Sequence, residues 1–224
     1  MPATIVVGAE WGDEGKGRAV DWLAADAEIV ARYAGGDNAG HTVRVGGTTF
    51  KLHLIPSGIL HPGVTCILGT GTVVNPLTLL HEMDYLHEHG VEVAPARLMI
   101  DARAHVITPA HLALDGASEA ALGVEAIGTT KRGIGPAYAS KMSRTGIRIQ
   151  AMRDPEQFGD LLEKAVAEGS RTLQALYNQP SIDAKALIGQ YVDASRRLAP
   201  YIGDAVTFVQ DALDAGDVAP RFFR

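Results

Sequence analysis

The chain has 224 residues, of which 46% are hydrophobic and 21% charged, and its formal net charge is −6. This apolar content supports a real core, and the length fits one domain with an insertion or one and a half ordinary domains. The acidic balance argues against nucleic-acid and membrane-surface proteins, because both partners select a basic face. No apolar run approaches the roughly 18 residues of a membrane span, no signal peptide is visible, and Cys66 is the single cysteine, so we expect a cytoplasmic protein.

The chain opens with a glycine-rich loop between a strand and a helix. A short apolar run at residues 4–7 predicts a buried strand, and residues 18–25 have helical apolar spacing. Between them lie residues 8–17, the first loop. Its backbone N–H groups can converge on an anion, because glycine adopts angles that other residues avoid and the helix start adds partial positive charge. The pattern therefore predicts a phosphate site.

The first loop differs from the usual P-loop. The spacing between its first glycine and the Gly15–Lys16 pair is too long, and the next residue, Gly17, has no hydroxyl for magnesium. Two carboxylates, Asp13 and Glu14, lie inside the loop instead. Because carboxylates repel phosphate, they fit there if one binds a bridging metal or removes a proton from a substrate.

A second strand, predicted at residues 28–33, leads into a second glycine-rich loop at residues 34–42, the second loop. Asn38, His41 and Thr42 stand among its glycines, a composition that suits backbone approaching a ligand. A lone histidine is usually structural. In this setting we favour a functional role for His41, because an exposed imidazole can act as an acid or electrostatic partner near neutral pH.

Strands and helices alternate through the middle of the chain. The predicted elements are a β-hairpin at residues 43–55 around two glycines, strands at 64–68 and 73–74, a helix at 76–89, a strand region at 97–108 and a helix at 110–121. On the helix at 76–89, the histidines with Glu82 and Glu88 predict a solvated polar face rather than a metal site. The fold class expected is α/β, with a P-loop-NTPase-like, mostly parallel central sheet flanked by helices, an inserted hairpin and a helical C-terminal region.

A third glycine-rich loop, the third loop, is predicted at residues 126–138. It carries Thr129, Thr130, Lys131 and Arg132, and further cations follow between residues 141 and 148. Hydroxyls and backbone amides donate hydrogen bonds to an anion while the cations neutralise its charge. Taken alone, the loop fits a phosphate site and a mobile basic surface loop equally well.

Four stretches together resemble the signatures of adenylosuccinate synthetases in order and spacing: residues 11–17, 35–42, 52–60 and 128–138. The resemblance covers residues 4–150 and continues more weakly beyond them. It implies a purine-biosynthesis ligase that joins IMP and L-aspartate, uses GTP and Mg²⁺, proceeds through 6-phosphoryl-IMP and works as a homodimer.

The resemblance also implies roles for matching residues. Asp13 would remove the purine proton, His41 would stabilise the transferring phosphoryl group, and Lys16 would neutralise phosphate charge. The implied IMP contacts are Asp13, Asn38, Thr130 and Arg144, with Arg144 acting across the dimer interface. The implied contacts to the GTP phosphates are Gly12, Asp13, Glu14, Gly15, Lys16, Gly17, Gly40, His41 and Thr42. The implied metal ligands are Asp13 and the Gly40 carbonyl.

We predict an α/β nucleotide-binding core at residues 1–150 and a helical region at residues 151–224. The family's second half, where the guanine and aspartate contacts would lie, is absent from these 224 residues. Two interpretations stay open: a truncated, catalytically incomplete ligase, or a non-catalytic phosphate-binding or dimer-forming module. A generic GTPase is disfavoured, because the chain has neither P-loop spacing nor an Asn-Lys-x-Asp motif.

Overall fold

The computed structural model describes residues 3–8, 15–38, 40–215 and 221–222. The strands are β1 Thr4–Ile5, β2 Ile29–Gly35, β3 His41–Val45, β4 Thr48–Leu52, β5 Thr65–Val74, β6 Leu98–Asp101, β7 His105–Val106, β8 Ile202–Gly203 and β9 Arg221–Phe222. The helices are α1 Lys16–Ala24, α2 Pro76–Glu88, α3 Pro109–Leu122, α4 Ile134–Ser143, α5 Pro155–Tyr177, α6 Lys185–Leu198 and α7 Ala205–Asp214. Within these residues, no helix is long and apolar enough to cross a membrane.

A parallel sheet forms the centre of the molecule. Its strands run in the order β2-β5-β6-β8, and β7 also pairs with β5 in parallel. Parallel neighbours need crossover connections, which the helices between the strands supply. The α/β class with a mostly parallel central sheet is therefore confirmed.

One hydrophobic core joins the sheet to helices from both ends of the chain. Leu68 and Leu98 of the sheet are buried in the same cluster as Phe158 and Leu162 of α5 and Tyr191 of α6. Each of these side chains is 0% exposed. The core therefore includes residues from both sides of position 150, and the two-part division at that position stays a prediction.

The predicted helix at residues 76–89 and the predicted hairpin form for the expected reasons. Asn75 begins α2, since its Oδ1 accepts the N–H groups of Leu77 at 3.0 Å and Thr78 at 3.4 Å. In the hairpin β3–β4, Gly46 and Gly47 have φ angles of +56° and +88°. Two consecutive positive φ angles match the tight turn that agrees with strand twist.

The expectation of a buried strand at residues 4–7 is wrong. The strand β1 covers only Thr4–Ile5, and Ile5 and Val7 are 41% and 63% exposed. It pairs with β9 in a separate two-stranded sheet. An apolar run shows that residues can form a strand, but it does not specify which backbone will pair with it.

The predicted strands at 64–68 and 73–74 are one continuous strand, β5. Its glycines allow close approach rather than a turn: a Cβ placed on Gly71 would lie 2.0 Å from the Tyr33 carbonyl oxygen of β2. The register between the two strands shifts between Arg32 and Ala34. Glycine at this point of the sheet therefore accommodates an irregular pairing.

Two further predictions, both for residues after 125, need correction. The third loop ends at Gly133, because residues from Ile134 onward form α4. The tail predicted to be helical contains a strand, Ile202–Gly203, which pairs with β6 at the edge of the sheet. A strand of two residues is too short to show the alternating pattern by which strands are recognised.

Candidate functional site

The end of the first loop lies against the second loop. Gly12, Asp13 and Glu14 fall outside the described residues, but Lys16 begins α1 and Gly17 follows it. A Cβ placed on Gly17 would be 2.8 Å from the Cβ of His41. Glycine at position 17 therefore lets the helix start approach His41, and the structure brings these two predicted site residues together.

Arg32 anchors the second loop through carbonyl oxygens. Its guanidinium donates to Ala34 O at 3.3 Å and Gly36 O at 2.5 Å, and also to His53 O at 2.6 Å and Leu54 O at 3.2 Å. Burial lowers the pKa of Arg32, an effect that the negative charge of Glu82 opposes. One cation thus joins the second loop to the segment that follows β4.

Tyr138 of α4 supports the same loop from another side. Its hydroxyl accepts the Gly35 N–H at 2.7 Å and donates to Gly71 O at 2.7 Å. A Cβ placed on Gly36 would lie 2.4 Å from the Ile134 side chain. The second loop is therefore fixed between β5 and α4.

Glu82 is not on a solvated face, contrary to the sequence-based expectation. Its side chain is 4% exposed and accepts backbone N–H groups from His53 at 2.8 Å, Leu54 at 2.9 Å and Ile55 at 3.3 Å. In the sequence, Glu82 lies close to histidines and a second glutamate. In the structure, this position of α2 faces the segment that follows β4. Burial raises the pKa of Glu82, while the three N–H groups and Arg32 oppose that shift.

Two carboxylates of α3 anchor the third loop through its amides. Glu119 accepts the N–H groups of Gly128 at 2.5 Å and Thr129 at 3.2 Å, and Asp115 accepts that of Gly133 at 2.8 Å. Both side chains are buried. They lie four residues apart, which places them on one face of the helix. The third loop therefore has fixed ends, and the interpretation as an unrestrained surface loop does not hold for them.

Arg132 connects the third loop to the second. Its Nη1 donates to the Asp37 carbonyl oxygen at 3.0 Å and lies 3.5 Å from Asp37 Oδ2. Thr130 and Asn38 are exposed on these two loops. Arg144 is exposed at the far end of α4, where it has a φ of +64°. Arg132, which had no assigned role beyond its charge, is thus the residue that joins the two loops.

A pocket of about 530 Å³ opens between the second loop, the third loop and the start of α2. Its lining residues are Asp37, His53, Asn75, Leu77, Thr78, His81, Leu112, Lys131 and Arg132. Among the described residues, Asp37 Oδ1 and His53 Nδ1 are buried without a hydrogen-bond partner in the protein. Buried polar atoms are normally paired, so these two groups are available to a polar guest, and Lys131 and Arg132 supply positive charge for an anionic part of it.

The charge state of His41 follows from its surroundings. Burial lowers the pKa of its imidazole, and Arg32 and His53 lower it further, while Asp21 opposes them. The ring is therefore neutral at pH 7. A phosphate beside it would favour the protonated form, because an opposite charge stabilises the cation.

The donor set predicted for a metal consists of hard oxygens, which Mg²⁺ prefers. One ligand is the Gly40 carbonyl, and the other, Asp13, lies outside the described residues. Where the structure is described, no group of three or more histidine, cysteine or acidic side chains is arranged for a metal. A Cβ placed on Gly40 would be 2.8 Å from His53 Cε1, so any other residue at this position would displace the His53 ring.

The anchoring side chains were missed by sequence reasoning. Arg32, Glu82, Asp115 and Glu119 lie in strands and helices that looked ordinary, and Tyr138 was placed in the third loop without an assigned role. The four-residue spacing of the two α3 acids was the one available signal, because it gives a helix one acidic face. Arg32 also bonds carbonyl oxygens two and four residues away, but the other partners of these five residues lie 9 or more residues away, where no local pattern reveals them.

Comparisons with known proteins agree on one family. The family model for adenylosuccinate synthetase matches residues 5–218. The chain is 49% identical over 216 residues to the adenylosuccinate synthetase of Moorella thermoacetica, covering 96% of this chain and 50% of that protein. It is 44% identical over 217 residues to that of Brevibacillus brevis, with 97% and 50% coverage. The chain therefore spans about half the length of these relatives.

Two solved structures give the same result. The fully ligated adenylosuccinate synthetase of Plasmodium falciparum superposes with a TM-score of 0.87 and 32% identity, over 98% of this chain and 51% of the other. A cyanophage S-2L succinoaminodeoxyadenylate synthetase superposes with a TM-score of 0.57 at 22% identity, over 99% and 50%. The second match shows a shared fold alone.

Proposed function

Because the chain belongs to the adenylosuccinate synthetase family, we propose that it supplies the phosphate- and metal-binding side of an active site that ligates IMP and L-aspartate. GTP would be the energy source, in a cytoplasmic purine-biosynthesis reaction. The observation that carries the proposal is the convergence of the three loops. The start of α1 packs on His41 through Gly17, and Arg132 of the third loop bonds Asp37 of the second.

In the proposed reaction, Asp13 takes the purine N1 proton, which makes the 6-oxygen nucleophilic. That oxygen attacks the γ-phosphorus of GTP, and GDP leaves with the electrons of the broken phosphorus–oxygen bond. The aspartate amine then attacks C6, loses a proton and displaces inorganic phosphate. Phosphorylation thereby converts a poor leaving oxygen into a good one.

The residues around the phosphates would stabilise charge as it moves. The N–H groups at the start of α1, together with Lys16 and the first-loop residues Gly12, Asp13, Glu14, Gly15 and Gly17, would contact the GTP phosphates. His41, next to Gly40 and Thr42, would donate a hydrogen bond to the transferring phosphoryl group and gain a proton as negative charge accumulates. Asp13 and the Gly40 carbonyl would hold Mg²⁺, which would supply Lewis-acid stabilisation of phosphate charge.

The IMP side would use exposed side chains. Asn38 and Thr130 lie on the two loops that Arg132 joins, and both are exposed. Arg144 is exposed at the end of α4, a position from which it could reach the IMP phosphate of a partner subunit in a homodimer. Fork-shaped guanidinium donors are well suited to phosphate.

The second candidate is a non-catalytic phosphate-binding or dimer-forming module, favoured by the pocket whose lining includes the cations Lys131 and Arg132. The described loops would then bind a nucleotide phosphate with no complete reaction centre. The two candidates differ in turnover, not in phosphate binding.

A fusion tests the proposal. Joining residues 1–216 to the second half of the Moorella thermoacetica relative should give a ligase that forms adenylosuccinate from IMP, L-aspartate and Mg·GTP, followed by ultraviolet absorbance. Asp13→Ala should abolish this activity, whereas Asp26→Ala, at an exposed acid beyond α1, should retain it.

Calorimetric titration of the chain alone with IMP and with Mg·GTP separates the candidates. Binding without turnover, combined with an active fusion, supports the ligase half. Binding combined with an inactive but folded fusion supports the non-catalytic module. No binding and no fusion activity in folded samples would refute both.

A further inference from the structure

We propose that Glu82 and Arg32 are positioning residues, which hold residues 53–55 from opposite sides and thereby set the backbone of Gly40 and His41 for magnesium and the GTP phosphates. The ligands named here rest on the proposed function. The geometry does not, because it follows from the contacts of the described residues.

The backbone of residues 53–55 is hydrogen-bonded on both sides, as in a strand, but its partners are side chains. Its three N–H groups donate to the Glu82 carboxylate at 2.8, 2.9 and 3.3 Å. Its first two carbonyl oxygens accept from the Arg32 guanidinium at 2.6 and 3.2 Å. The segment leaves β4 and enters a short helical turn at Ser57–Leu60, so these two side chains replace neighbouring strands.

This arrangement fixes the direction of His53. A Cβ placed on Gly40 would be 2.8 Å from Cε1 and 2.9 Å from Nδ1 of His53, so the imidazole packs directly on the Gly40 backbone. His41 follows Gly40 and is the first residue of β3. It pairs with Leu52 of β4, the residue that precedes His53. Movement of residues 53–55 would therefore change the position of Gly40 directly.

Arg32 also holds the second loop. It also donates to Ala34 O and Gly36 O, so one guanidinium holds both segments that flank the site. Within the described part of the chain, the hydrogen bonds that Glu82 accepts come from residues 53–55 alone. Arg32 therefore contacts two segments and Glu82 contacts one, so we expect their variants to affect ligand binding differently.

A buried ionic arrangement is not an efficient way to gain stability, since well-packed apolar residues often do as well or better. Its specific effect is to orient polar backbone groups that an apolar side chain could not bind. Glu82 is 4% exposed among apolar residues of α2 such as Met83 and Leu86. A carboxylate at this point therefore specifies a conformation rather than filling space.

The test compares Glu82→Gln and Arg32→Lys with Glu88→Gln, a matched change at an exposed acid of the same helix. Nuclear Overhauser contacts between the His53 Hε1 and Gly40 Hα protons report the geometry without any ligand. Calorimetric titration with Mg·GTP and with IMP then reports its effect on binding. Near-ultraviolet circular dichroism confirms that each variant is folded.

We expect both variants to lose the His53–Gly40 contact and to bind Mg·GTP about tenfold more weakly, the effect of one lost hydrogen bond to a charged group. Glu82→Gln should change IMP affinity by less than about twofold, because its contacts do not extend to residues 34–36. Glu88→Gln should resemble the unaltered chain. If Glu82→Gln does not fold, Arg32→Lys carries the test.

Retention of the His53–Gly40 contact in the folded variants would overturn the proposal. So would loss of the contact with unchanged Mg·GTP affinity, or equal weakening of both ligands in Glu82→Gln. If the unaltered chain binds no Mg·GTP, the activity of the fusion decides the proposed function. The proton contact then still decides the positioning role, since it is supported if lost and refuted if kept.

Discussion

The second and third loops are anchored in opposite ways. The second is held by a cation, Arg32, that binds its carbonyl oxygens, whereas the third is held by two carboxylates that bind its N–H groups. The Arg32 anchor commits none of the second loop's N–H groups, so apart from the Gly35 N–H, which Tyr138 accepts, they can face a phosphate, while a carbonyl oxygen stays available for a metal. The α3 acids turn amides of the third loop inward, so that loop must offer side chains such as Thr130 and Lys131. The type of anchor therefore determines what each loop can present.

The largest effect is expected from breaking the second loop's anchor. Arg32→Met removes donors from four carbonyl oxygens and leaves Glu82 buried near no cation. We expect a loss of about 3–4 kcal/mol in the free energy of unfolding, measured by urea titration. Arg44→Met, at an exposed position of β3, should change it by less than about 0.5 kcal/mol. A change in Arg32→Met as small as in this control would show that the anchor contributes little.

The second-largest effect on the free energy of unfolding is expected from acid, which acts through a buried histidine beside the third loop. Burial, with a smaller effect of His105, lowers the pKa of His111 from 6.5 to about 4. The neutral ring is therefore favoured by folding, and its contribution is complete above pH 6.5 and is lost as pH falls toward 4. The expected loss is about 2–3 kcal/mol, read from urea titrations across this range.

His111 lies behind the third loop, since a Cβ placed on Gly133 would be 2.9 Å from its carbonyl carbon. His111→Asn should flatten the pH profile, while His87→Asn, at an exposed position of α2, should leave it unchanged. An unaltered slope in His111→Asn would assign the acid sensitivity to other groups.

A smaller effect is expected from the third loop's own anchor. Glu119→Gln keeps an oxygen for Gly128 and Thr129 but removes the charge that strengthens both hydrogen bonds. The unfolding free energy should fall by about 1–2 kcal/mol, with faster amide exchange confined to residues 128–133. Glu125→Gln, an exposed acid nearby, serves as the control. Faster exchange in the second loop as well would mean that the two loops are not held independently.

The smallest change in stability is expected at Thr130. The residue is exposed, so Thr130→Ala should alter the unfolding free energy by less than about 0.5 kcal/mol. If the third loop works through its side chains, the same change should still weaken IMP binding severalfold in calorimetry. Thr48→Ala, an exposed threonine in the hairpin, should affect neither measurement. Unchanged IMP affinity in Thr130→Ala would remove this residue from the proposed site.

Sequence reasoning was strongest where a local pattern has one physical meaning. The paired glycines of the hairpin and the helix at residues 76–89 were each predicted, and the structure confirms them, with α2 ending at Glu88. It was weakest where a pattern shows only that a structure is possible. Residues 4–7 could form a strand but pair outside the central sheet, and the glycines of β5 permit close approach instead of a turn.

The candidate site shows the same division. The glycine-rich loops, with His41 and Lys16, stand out because their composition is unusual along a short stretch. Glu82 and Arg32 do not, because a glutamate on a helix and an arginine in a strand are ordinary until their partners are known. Those partners lie 21 to 29 residues away along the chain for the segment at 53–55.

By itself, the sequence determined the α/β class, the three glycine-rich loops and the family, because these depend on local composition and spacing. Only the tertiary structure decided which charged side chains are buried and which backbone groups they hold. Arg32 meets carbonyl oxygens and Glu119 meets amides because sheet and helix packing brings distant segments within hydrogen-bond reach. Once buried, a charge must find partners of opposite polarity, and the fold alone supplies them.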